Sequence, residues 1–194
     1  TKSQKKVLKD EIRNDIDKVR ASDMIAQQFI RDNGLAELGR LSTRELNQFQ
    51  QYLIARRHAA DLHKKGIKTG RDLDADLAII DKYKGKFTNE EKIYRSFNKR
   101  LLQYMEDNGL ISNKLHQELN KNTAYTPYQR LMDDVSGFTG HSQQLGNLSS
   151  EQVIKGIKGS ERTILNPIEA TMANTMRIIN EGQRNIAARK IAEN

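Results

Sequence analysis

The densest group of ionisable side chains lies between Arg56 and Arg71, where Arg56, Arg57, Lys64, Lys65, Lys68 and Arg71 stand against the single acid Asp61. His58 and His63 fall in the same run. Guanidinium and ammonium groups bunched in this way can neutralise phosphates without reading a base sequence. Lys5, Lys6 and Lys9 form a second basic group near the start of the chain, where a helix macrodipole disfavours positive charge. The competing reading is structural. Cations near a helix C-terminus complement its dipole, and Arg57, Asp61 and Lys65 make an i, i+4 ladder along one helix face.

Other chemistry is thinly supported. His58 and His63 are five apart, which does not suit a metal pair on one α-helical face, and His116 and His141 are distant in sequence. Asp72, Asp74, Asp76 and Asp81 crowd one segment but lack the glycine and distal glutamate of a calcium loop, so the helix dipole explains them more simply. There is no phosphate loop, dinucleotide glycine pattern, nucleophile elbow or metalloprotease His-Glu motif. No cofactor is expected. Tyr125, Pro127, Tyr128 and Arg130 sit around a backbone fixed by proline; they could stack on bases or hold a phosphate, or pack a loop over helices.

The elements that would position these groups read as helices. From Ser3 to about Arg31 the pattern is uninterrupted, with Val7, Ile12, Ile16, Val19, Ile25 and Phe29 as its apolar stripe and Asn33-Gly34 as its stop. Ser42 to Glu45 is a capping box opening a helix to about Lys65, closed by Gly66, with Leu46, Phe49, Leu53, Ala60 and Leu62 or His63 inward. A short helix from Asp72 to about Lys84 carries Leu73, Leu77 and Ile80. Thr88 to Glu91 reads as another capping box, and its helix runs to Asn108-Gly109 with Ile93, Phe97, Leu101, Leu102 and Met105 inward. Leu110 and Ile111 turn the chain, and Ser112 caps a helix bearing Leu115 and Leu119. Residues 136–165 read as a Gly-, Ser- and Gln-rich connection with one short helix, and Asn166-Pro167-Ile168-Glu169 opens a long last helix. On that helix Ile168, Met172, Met176 or Thr175, Ile179, Ile186 and Ile191 would be inward, with Arg177, Glu181, Arg184 and Lys190 opposite.

With 36% hydrophobic and 30% charged residues, the composition is lean for a sphere and suits long amphipathic helices. The net charge of +8 raises the prior for an anionic partner. Without cysteine there is no disulfide and no thiolate metal site. No apolar run approaches the length of a membrane span, and the basic N-terminus lacks the apolar core of a signal peptide. A start at Thr1 and an end inside an apparent helix suggest a fragment or processed product of a larger chain.

Three segments in order carry a resemblance. They are Tyr52-Leu53-Ile54-Ala55-Arg56-Arg57, then Asn98 to Ser112 followed by Tyr125-Thr126-Pro127-Tyr128-Gln129-Arg130, then Asn166-Pro167-Ile168-Glu169 with Arg184-Asn185. Together they resemble a helical module within the large polyvalent proteins of bacteriophages and mobile elements. The resemblance covers about Arg44 to Asn194 and implies a module of a phage protein delivered with the genome, located in the virion or, after delivery, in the host cytoplasm. No catalytic residues transfer.

The expectation is an all-α, elongated multi-helix bundle with long first and last helices, organised as 1–34, 35–135, 136–165 and 166–194 and forming one domain. Its favoured function is non-enzymatic, as a structural or interaction module meeting other domains of its parent protein or a second copy through the long helices. A nucleic-acid-binding domain for DNA or RNA, using the basic residues named above, is the alternative. An enzyme or toxin domain without recognisable motif is a third.

Overall fold

Each described helix starts or stops where the backbone chemistry demands it. The computed structural model describes Asp10, Arg13, Asn14 and residues 16–66, 69–121 and 167–192. Among them are α1 (Ser22–Asp32), a 3-10 turn (Leu35–Arg40), α2 (Thr43–Arg57) running on into a π turn (His58–Leu62), α3 (Leu73–Lys82), α4 (Thr88–Asp107), α5 (Asn113–Lys121) and α6 (Pro167–Ala192). No strand occurs among the described residues, and the fold is all-α. The Ser42 hydroxyl accepts from the Glu45 amide while the Glu45 carboxylate accepts from the Ser42 amide, the reciprocal cap expected for α2. Asp72 caps α3 by accepting from the Ala75 amide at 2.7 Å, and Ser112 caps α5 by accepting from the Leu115 amide. Gly34 and Gly109 follow α1 and α4 with φ of 82° and 65°, a left-handed turn that glycine adopts without steric cost.

One apolar cluster joins the elements. Phe49, Phe97, Leu101 and Met105 are fully buried at its centre, with Leu35 and Leu38 from the 3-10 turn and Ile178 from α6. Burying each of these large side chains contributes about 1.5–3 kcal/mol. Phe49 packs on Phe87 with ring centroids 5.4 Å apart, and Phe29 stands edge-on to both Phe97 and Tyr104. α6 packs against α1, α2 and α4, while α4 and α5 form the expected hairpin. Polar groups fix where α6 enters. The Thr171 hydroxyl donates to the Pro167 carbonyl at 2.8 Å, so the Tyr94 hydroxyl, also 2.8 Å away, must donate to Thr171. Further along, Tyr104 donates to the Ile179 carbonyl and lies so close to Gly182 that a Cβ there would sit 2.5 Å from its hydroxyl oxygen.

Several sequence expectations change. The first helix is interrupted: Ala21 takes φ −90° and ψ 8°, a turn between the helical residues 16–20 and α1. Its buried positions are Ser22 and Ala26, not the expected Ile16, which is exposed; Ile25 and Phe29 are half-buried. Small side chains let α1 come close to α6, close enough for Asn180 to donate to the Ser22 hydroxyl at 2.9 Å. The π turn inserts one extra residue and rotates the buried face, so His58 and Asp61 are inside and Ala60 and His63 outside. Leu77 is exposed, because α3 turns Asp76 inward instead. Thr88 does not cap α4: Phe87 is the N-cap, and the Thr88 hydroxyl donates to the Gly85 carbonyl. On α6, Ile168, Thr175 and Ile179 are buried as expected, but Ile191 is exposed. Tyr125, Pro127, Tyr128 and Arg130, the short helix expected within 136–165, and Lys5, Lys6, Lys9 and Lys68 lie outside the described residues.

Candidate functional site

Residues of the basic run enter two charged centres. The first forms where the π turn meets α3. His58 and Asp76 are 3% and 1% exposed, and the His58 Nδ1 lies 2.6 Å from Asp76 Oδ2. Arg71 closes the group as a fork, with its Nε donating to Asp76 Oδ2 at 2.9 Å and an Nη donating to Asp76 Oδ1. Burial opposes ionisation of Asp76, yet the hydrogen bonds from Arg71 and His58 and their charges outweigh it and hold the carboxyl below the ordinary carboxylate range. A carboxylate inside a helical fold is tolerable only with such partners. In the π turn the His63 amide donates to the His58 carbonyl, five residues back, and the two imidazoles meet edge-on at 5.9 Å. The spacing of five that separates two histidines on an α-helix therefore brings them together here. No group of three or more potential metal ligands occurs among the described residues.

The second centre surrounds Glu91, whose expected capping role is replaced by a tertiary one. Arg56 and Arg95 both pair with Glu91 Oε1, and the Tyr52 hydroxyl donates to Oε2 at 3.2 Å. The Arg56 guanidinium also lies over the Tyr52 ring, 5.7 Å from its centroid. Two guanidiniums thus share one carboxylate. Burial, and then the neighbouring Arg95 charge, push the Arg56 pKa below its ordinary range. A groove of about 510 Å³ opens beside this centre, running between α4 and α5.

The cations singled out from sequence are accordingly dispersed. Arg56 joins Glu91, Lys65 pairs with Asp61 at 2.6 Å, and Arg71 joins Asp76. Arg57 is half-buried, and Lys64 is exposed. Sequence reasoning read Asp76 as a helix-terminal acid and Glu91 as a capping acid, and gave neither Arg95 nor Asn98 a site role, because each has a local explanation as a helix-terminal acid or a surface polar residue. A further contact, the His116 Nδ1 with the Glu106 carboxylate, ties α5 to the end of α4, and the hydrogen bonds from Asn113 and His116 hold the Glu106 carboxyl below its ordinary range.

Comparison of the chain with protein-family models, with curated proteins and with solved structures finds no match. No helix of the described residues is long and apolar enough to cross a membrane.

Proposed function

We propose that the chain is a non-catalytic interaction module: an elongated helical bundle that presents its long helices to another domain of a parent protein or to a second copy. The resemblance to modules of large phage polyvalent proteins gives this reading its setting, in a virion or in a host cytoplasm after delivery. The observation that carries it is the internal use of the basic run. Arg56, Lys65 and Arg71 each hold an acid of the same chain, Glu91, Asp61 and Asp76. Arg56 in this way ties α2 to α4, and cations so engaged displace few counterions from a nucleic-acid backbone. The proposed partner surface lies on the long α6 and the shorter α1. The last ten residues of α6, 183–192, include none that is buried, and Ile191 on α6 and Met24 on α1 are 56% and 70% exposed.

Two measurements on the whole chain test this. Sedimentation velocity over a concentration series should show self-association that Met24→Glu with Ile191→Glu weakens; a strict monomer at high concentration would remove the second copy from the proposal. Binding to labelled random-sequence duplex and single-stranded DNA should be absent at near-physiological salt. Salt-sensitive binding lost on neutralising Lys64 and Lys65 would replace this reading with the nucleic-acid one.

A further inference from the structure

We propose that the groove between α4 and α5 binds a phosphorylated organic ligand of mononucleotide size, with its phosphate on Lys92, Arg95 and Lys99 and its hydrogen-bond donor edge on Asn98. This goes beyond an interaction module, because it assigns a small-molecule site. The groove's volume, about 510 Å³, falls within the range of about 300–1,000 Å³ usual for small-ligand sites. Its lining combines three features. Lys92, Arg95 and Lys99 recur at i, i+3 and i+7 and so form one stripe along α4. Both lysines are exposed, and neither has an acidic partner among the described residues. Arg95 has one, Glu91, but shares it with Arg56, so the head of the groove carries more positive charge than its own acid balances.

The second feature is Asn98, which lines the groove at 5% exposure while its Oδ1 has no hydrogen-bond partner. A buried amide oxygen without a donor costs stability unless something supplies one. Asn98 lines the groove, and its amide oxygen is assigned as the acceptor for an N–H of a base edge bound there. The third is an apolar floor of Leu102 from α4 and Leu119 from α5, suited to the flat body of a ligand and not to a hydrated inorganic ion. A cationic stripe, an unpartnered acceptor and an apolar floor in one groove match phosphate, base edge and base face.

Isothermal titration of the full chain with adenosine monophosphate, adenosine and inorganic pyrophosphate tests the assignment. The nucleotide should bind saturably, about tenfold more tightly than pyrophosphate, which lacks the donor edge, and at least about a hundredfold more tightly than adenosine, which lacks the phosphate that several cations hold. Lys92→Gln and Lys99→Gln should each weaken it about tenfold with the melting temperature unchanged, since both side chains are exposed. Asn98→Ala should erase the preference for the nucleotide over pyrophosphate. Absence of saturable binding, equal affinity for adenosine, equal affinity for pyrophosphate, or insensitivity to both lysine variants would each overturn the proposal.

Discussion

Replacing Gly182 by alanine should change the sign of its effect according to what stands at position 104. Gly182 is buried in the middle of α6, and a Cβ there would lie 2.5, 2.7 and 2.9 Å from the hydroxyl oxygen, Cε1 and Cζ of Tyr104. Alanine in a helix interior is favoured over glycine by about 1 kcal/mol. Against that, the Tyr104 ring must move. It is half-buried, stacked edge-on with Phe29, donating to the Ile179 carbonyl and accepting from Gln183, so it cannot swing away without loss. Overpacking costs about 1–3 kcal/mol and the broken hydrogen bond about 1 kcal/mol more. The net expectation for Gly182→Ala is a destabilisation of about 2 kcal/mol, or roughly 4–8 °C in melting temperature for a chain of this length. In a Tyr104→Ala background the obstruction is gone, and the same substitution should stabilise by up to about 1 kcal/mol. Urea unfolding followed by circular dichroism reads both halves of the cycle. Equal effects of Gly182→Ala in the two backgrounds would refute the close approach of Tyr104 to α6.

Acid stability should depend on Asp76. Its folded pKa is depressed, so its contribution is fully present above the unfolded carboxylate pKa, near 4, and is lost as pH falls through the folded value. Asp76→Asn should therefore cost on the order of 3 kcal/mol at neutral pH, by leaving Arg71 and His58 without their carboxylate, and should flatten the stability profile below about pH 4; an unchanged acid limb counts against the pairing. Ser42→Ala should cost about 1 kcal/mol, a few degrees in melting temperature, because it opens a complete capping box. Thr88→Ala should cost less than Ser42→Ala, since no side chain caps α4; the reverse order in thermal melts would mean that the cap of α4 is misassigned.

Features encoded within a few residues were legible from sequence. Ser42 and Glu45, Ser112, Asn33-Gly34 and Asn108-Gly109 mark helix ends through local hydrogen bonds or a left-handed glycine, and Leu115 and Leu119 fall inward by simple periodicity. Much of what escaped depends on partners brought in by the fold. Glu91 fits a capping box locally, but Arg56, 35 positions earlier, pairs with its carboxylate together with Arg95. Asp76 resembles any acid of a first turn until His58 and Arg71 close around it. The π turn carries no signal in residue type, yet its single added residue decides which of His58, Ala60, Asp61 and His63 face inward. Periodicity also undervalued small residues, and so it missed Ser22 and Ala26 as the contact of α1 with α6.

The seat of α6 has a kinetic consequence. Its partners come from much earlier in the chain: Gln50 meets Ile168 across 118 positions, and Ser22 meets Asn180 across 158. Contacts of such long range are reached only after a large loss of chain entropy, so α6 should dock slowly compared with the hairpin of α4 and α5. Until it docks, the apolar faces of α1, α2 and α4 that receive Ile168, Ile178 and Ile179 are open to water. That waiting state is the one most exposed to aggregation and to holding chaperones, so the yield of folded protein should respond to changes at the α6 seat more sharply than equilibrium stability does.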